Sequence, residues 1–134
     1  MAQFTTLLWV GLGGAGGAML RAWLGLTFAQ PGHFLPWPTL VANVLGSLIL
    51  GGVLAVEAHS RNLLHPHARD LLAIGFCGGF TTFSTFSWQT LDLLREGKHA
   101  AALTNIALNL LLTLGAVALG YFAGRYLLSA TSGR

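Results

Sequence analysis

Read for its succession of apolar and polar positions, the chain falls into four long apolar stretches, at about residues 5–29, 39–58, 69–94 and 100–128. Each is close to the roughly 20 residues that a helix rising about 1.5 Å per residue needs to cross a hydrocarbon core about 30 Å thick. The punctuation between them is short. Pro31, Gly32, Pro36 and Pro38 predict a turn after the first stretch, and its Phe34 and Trp37 suit a membrane interface. A polar loop from His59 to Ala68 separates the second stretch from the third, and Arg95 to His99 form the last turn. Connections of this length place consecutive helices antiparallel as neighbours. The pattern predicts an all-α integral membrane protein, with residues 1–134 forming a single four-helix transmembrane domain.

Composition strengthens that reading. Of the 134 residues 54% are hydrophobic and only 8% charged, against about a quarter charged in soluble domains. The basic residues Arg21, Arg61, Arg69, Arg95, Lys98, Arg125 and Arg134 are scattered, whereas a nucleic-acid surface needs them clustered. A net charge of +3 fits cationic helix ends in an anionic membrane. Met1 to Thr6 lack a basic region and no small-residue cleavage site follows, so the first apolar stretch is expected to be retained as a span. The lone Cys77 has no internal disulfide partner and reads as a small packing residue. Loop charges barely fix the orientation. Arg61, Arg69, Arg125 and Arg134 fall on one side, with Arg95 and Lys98 on the other and Arg21 nearer to them. So even a tally predicts insertion in both directions, a fixed topology set by other factors being the alternative.

The third span contains a run ill suited to a lipid-facing helix, from Gly75 through Gly78, Gly79, Phe80, Thr81, Thr82, Phe83, Ser84, Thr85 and Phe86 to Ser87. Adjacent glycines weaken a helix, and a break within a membrane is tolerated only where protein or a water-filled path satisfies the freed backbone groups. The break is expected at Gly78 and Gly79, and freed carbonyls there would suit a hard cation. A glycine kink with hydroxyls bonded back to the preceding turn accounts for the same residues. Phe80, Phe83 and Phe86 recur at every third position and share a helix face, with Thr81, Ser84, Thr85 and Ser87 beside them. Such a stripe is ordinary packing, or it turns electropositive ring edges and hydroxyl donors toward an anion.

Polar residues also form stripes on two other spans: Thr39, Asn43 and Ser47 on the second, and Asn105, Asn109 and Thr113 on the fourth. Lipid cannot satisfy them, so they must face each other, another subunit or a pore. Arg21 is the basic residue lying well inside a span, with a structural or anion-attracting role. His59, His65 and His67 are too loosely spaced for a metal site and read as solvated loop residues.

The run from Gly78 to Ser87, the Asn43-x-x-Gly46-Ser47 of the second span and the Gly17-x-x-x-Arg21 of the first resemble the CrcB or Fluc fluoride channels, and the similarity covers essentially the whole chain. The resemblance implies a dual-topology homodimer of antiparallel subunits in the bacterial cell (inner) membrane, passively exporting fluoride through two narrow pores. It also implies a structural, untransported sodium ion at the centre, held by backbone carbonyls of Gly78 and Thr81 from each subunit. Phe83 and Phe86 would turn ring edges toward fluoride, and Asn43 would be a pore donor. Thr82, Ser84, Thr85, Asn109 and Thr113 would complete the pore lining, with Arg21 and Thr39 in structural or anion-attracting roles. Relatives often carry an acid where this chain has Gln89, which leaves the pore without that charge.

Two rival classes fit less well. A small dual-topology proton-coupled exporter needs an acid buried in the first span, which here holds Arg21 and no acid. A membrane enzyme needs convergent acid, base or nucleophile groups, and these spans offer mainly neutral donors.

Overall fold

Residues 2–28, 34–59, 65 and 67–132 are described by a computed structural model. The predicted turn residues Pro31 and Gly32, and the loop and terminal charges Arg61 and Arg134, lie outside the described residues.

Helices account for nearly all of the described chain: α1 (Ala2–Phe28), α2 (Trp37–His59), a π-helical stretch (Asp70–Cys77) that continues as the short α3 (Gly78–Phe80), α4 (Phe83–Arg95) and α5 (His99–Ser132). By length and apolar composition four segments can cross a membrane: Gln3–Phe28, Trp37–His59, Asp70–Arg95 and His99–Ala130. These segments overlap the expected spans, each shifted or lengthened by a few residues at its ends. Phe34 and Trp37, expected at an interface, are both exposed.

Local chemistry explains the helix ends. Pro38 is tolerated because it lies in the first turn of α2, where its missing N–H costs no intrahelical bond. At the end of α4, Gly97 adopts φ +73°, a left-handed conformation that a residue with a Cβ resists. That turn lets Gly97 N–H reach the Leu94 carbonyl at 3.0 Å and Lys98 N–H reach the Leu93 carbonyl at 2.9 Å, a Schellman closure that covers the last carbonyls of the helix.

The main packing pairs are not the consecutive ones that short loops predict. α2 packs chiefly against α5, and α1 against the π-helical stretch and α3. Glycines decide this, because they let backbones meet directly. A Cβ on Gly51 would strike the Val117 carbonyl, and one on Gly120 would strike that of Leu48. On the other side, a Cβ on Gly13 would strike the Leu71 carbonyl, one on Gly17 that of Phe76, and one on Gly79 that of Gly14. α2 is the central helix, with 39% of its most apolar window buried against 11% for the first span and 17% for the third and fourth. Large apolar side chains including Leu12, Met19, Leu111, Leu119 and Phe122 face outward, a surface suited to hydrocarbon.

Candidate functional site

The helix break expected at Gly78 and Gly79 lies instead at Thr81 and Thr82. Gly78 is helical at φ −63° and ψ −37°, whereas Thr81 (φ −80°, ψ 156°) and Thr82 (φ −154°, ψ 114°) are extended. The intrinsic weakness of glycine in a helix is outweighed by packing, since Gly79 is held in helical register against the backbone of Gly14. The extended pair is stabilised by side chains that take over backbone bonds.

Asn43 on α2 accepts from Thr82 N–H through Oδ1 at 2.8 Å. Thr82 Oγ1 accepts from Thr85 N–H at 3.2 Å and so caps α4. In a continuous helix those two donors would serve the carbonyls four residues earlier, Gly78 and Thr81. Both are diverted. Thr81 itself stays attached to the preceding turn, its N–H and its hydroxyl each 2.9 Å from the Cys77 carbonyl.

The glycine motifs of the other spans serve this break. Gly46 lies one turn beyond Asn43, and a Cβ there would run into the Thr81 methyl and come within 3.4 Å of the Phe80 ring. Bare Gly46 thus allows α2 close enough for Asn43 to bond Thr82. On α1, Gly17 sits against the backbone at Phe76 and Phe80, and Arg21 one turn later donates from Nε to the Gly79 carbonyl at 3.1 Å. The Arg21 side chain is half-buried there rather than directed to the helix end.

Two hollows meet at the break. A groove of about 560 Å³ brings together Gly78, Thr81, Thr82, Phe83, Phe86, Asn43, Asn109 and Thr113. No charged side chain among the described residues borders it. Phe83 and Phe86 stand with ring centroids 5.4 Å apart and planes at 53°, and Phe83 is 79% exposed. A second hollow of about 490 Å³ contains Arg21, Thr39, Thr85 and Gln89, rimmed by Asp92, Glu96 and Lys98. Thr82 borders both. Ser84 borders neither and instead pairs with Thr82 Oγ1 at 3.2 Å. The buried Gln89 Oε1 has no hydrogen-bond partner among the described residues.

The polar stripes of α2 and α5 face each other across the bundle. Asn43 Nδ2 donates to Asn109 Oδ1 at 3.0 Å, with a longer contact of 3.4 Å to the Thr82 carbonyl. Asn109 Nδ2 donates to Asn105 Oδ1 and to the Asn105 carbonyl, at 3.0 and 3.1 Å. Asn105 Nδ2 in turn donates to Thr90 Oγ1 at 2.9 Å. Thr90 was not among the residues picked out from sequence, although its spacing one turn beyond Phe86 was a usable signal. Away from this site His65 is exposed, while His67 is packed on the Trp9 ring with centroids 5.7 Å apart.

Residues 8–121 match the family described as CrcB-like protein, Camphor Resistance (CrcB). The chain belongs to the CrcB family. The fluoride-specific ion channel FluC of Gluconobacter oxydans is 42% identical over 122 residues, covering 89% of this chain and 84% of that protein. That of Methylocella silvestris is 43% identical over 116 residues, covering 85% and 88%. The FluC of Leptospira interrogans serovar copenhageni is 45% identical over 105 residues, covering 78% and 82%. CrcB membership places the chain among ion channels and not among enzymes.

Proposed function

We propose that this chain is a passive, fluoride-selective channel that works as an antiparallel, dual-topology homodimer in the bacterial inner membrane and lowers fluoride toxicity by letting the ion out of the cytoplasm. The observation that carries the reading is the groove at the break, which offers aromatic rings and neutral polar groups without a fixed charge. Fluoride surrenders its water only to other donors, and uncharged donors hold it weakly enough for release. Phe83 and Phe86 supply ring edges, whose hydrogens carry partial positive charge. Asn43 supplies an N–H that otherwise makes only the long contact to the Thr82 carbonyl. The Thr82 hydroxyl stands where the two hollows join, and Arg21 and Thr85 lie in the second hollow, whose rim balances Lys98 with Asp92 and Glu96. Asn109 and Thr113 line the far wall of the groove.

The 79%-exposed Phe83 on an open groove supports the dimeric reading, since a second copy would cover it. The carbonyls of Gly78 and Thr81 fit a structural sodium ion. Their helical donors are diverted to Asn43 and Thr82, and neutral oxygens are the ligands a hard cation takes. When bound, sodium would supply a fixed positive charge between the copies. A proton-coupled exporter is disfavoured because all four acids sit toward helix ends beside a basic partner: Glu57 with Arg69, Asp70 with His67, Asp92 with Arg95 and Glu96 with Lys98. Proteoliposomes loaded with equal fluoride and chloride test the proposal: fluoride should leave passively and far faster, and equal fluxes of the two anions would refute selectivity.

A further inference from the structure

Two residues outside the groove fix the direction in which its amides point. The polar chain described above begins and ends on the backbone of the third span. At one end is Thr82 N–H, which can only donate, and at the other is the Phe86 carbonyl, which can only accept. Between them run Asn43, Asn109, Asn105 and Thr90. An amide side chain fits the same space with its oxygen and nitrogen exchanged, so its orientation is decided by its neighbours.

Here the neighbours leave one solution. The Thr90 hydroxyl donates to the Phe86 carbonyl at 2.8 Å, so toward Asn105 it can only accept. Asn105 must then present Nδ2 to Thr90 and Oδ1 to Asn109. Asn109 must spend Nδ2 on Asn105 and turn Oδ1 to Asn43. Asn43 is left with Nδ2 toward Asn109 and Oδ1 toward Thr82 N–H, the sense that the other end of the chain also demands. Asn105 is 1% exposed, so no water competes for its amide. Reversing the chain would set two donors against each other at Thr82 and release the bond that holds the break open.

We propose that Thr90 and Asn105 are positioning residues of the channel: through this one-directional chain they set which end of Asn43 meets the break and which meets the groove. The inference rests on the channel reading, and its test separates the two. In fluoride-loaded proteoliposomes, Thr90→Val keeps the volume and removes the hydroxyl, whereas Thr90→Ser keeps the hydroxyl and removes the methyl. Thr90→Val should slow fluoride efflux by about tenfold, as expected for a buried amide left without its acceptor, and Thr90→Ser should remain near the parent rate. Adding Thr90→Val to Asn105→Leu should produce no further loss, because the chain is already cut. If Thr90→Val does not fold, Thr90→Ala against Thr90→Ser makes the same comparison. Parent-like efflux in the variant lacking the hydroxyl, an equal loss in Thr90→Ser, or independent losses in the double variant each overturn the proposal. Absence of fluoride efflux from the parent itself would instead overturn the channel reading.

Discussion

Replacing Gly17 by Ala tests the contact that joins α1 to the third span. The added methyl would meet the Phe76 carbonyl oxygen, the Phe80 nitrogen at 2.7 Å and the Gly79 carbonyl carbon at 3.1 Å. All three are backbone atoms and cannot swing away as a side-chain end could. Restoring ordinary carbon contacts of about 3.5 Å requires α1 to retreat by about 1 Å. The Arg21 Nε bond to the Gly79 carbonyl, 3.1 Å long one turn farther on, would then stretch beyond hydrogen-bonding distance. Overpacking of this kind costs about 1–3 kcal/mol, and loss of a charged hydrogen bond about 1.5–3 kcal/mol. Because relaxing the clash is what breaks the bond, the two are not added in full, and we expect a loss of about 3 kcal/mol. For a chain of this size that corresponds to a Tm lower by about 10 °C, read from tryptophan fluorescence in detergent. Gly11→Ala, whose Cβ would meet nothing within 4 Å, is the control and should not lower Tm. A Gly17→Ala variant as stable as the parent would refute the close backbone contact and the account of Arg21 built on it.

Other expectations concern conduction. Phe83→Ile and Phe86→Ile should each slow fluoride efflux by about tenfold while leaving a folded protein, since the ring edge is lost and most of the volume kept; unchanged flux in both would return the rings to packing alone. Replacing sodium on both sides by N-methylglucamine at constant fluoride should abolish efflux. Undiminished transport would remove the cation from the Gly78 and Thr81 carbonyls.

The four spans were legible because hydrocarbon selects long apolar runs, and that demand is written residue by residue. The location of the break was not. Gly78 and Gly79 announce weak helix propensity, but propensity is a local quantity that tertiary contacts override. The break moved to Thr81 and Thr82 because Asn43, 39 positions away, accepts from one N–H, and Thr82 itself accepts from another. The glycine and asparagine stripes were visible as spacings, yet nothing in one sequence says that Gly51 meets Val117 or that Gly17 meets Phe76. The residues expected around the pore came together only in part. Thr82, Phe83, Phe86, Asn43, Asn109 and Thr113 share the groove, while Thr85, Thr39 and Arg21 lie in the adjoining hollow. Past the break the helical turn of α4 carries consecutive hydroxyls to different sides, which leaves Ser84 bordering neither.

The bond from Thr82 N–H to Asn43 also bears on the order of assembly. A third span inserted alone into hydrocarbon has no α2 beside it, and an N–H there must find an acceptor within its own segment. The Gly78 carbonyl is that acceptor, and reaching it makes the helix continuous. The opening at Thr81 and Thr82 is therefore created when helices that have already crossed the bilayer come together. The polar break on which the proposed conduction rests is never presented bare to lipid on the way.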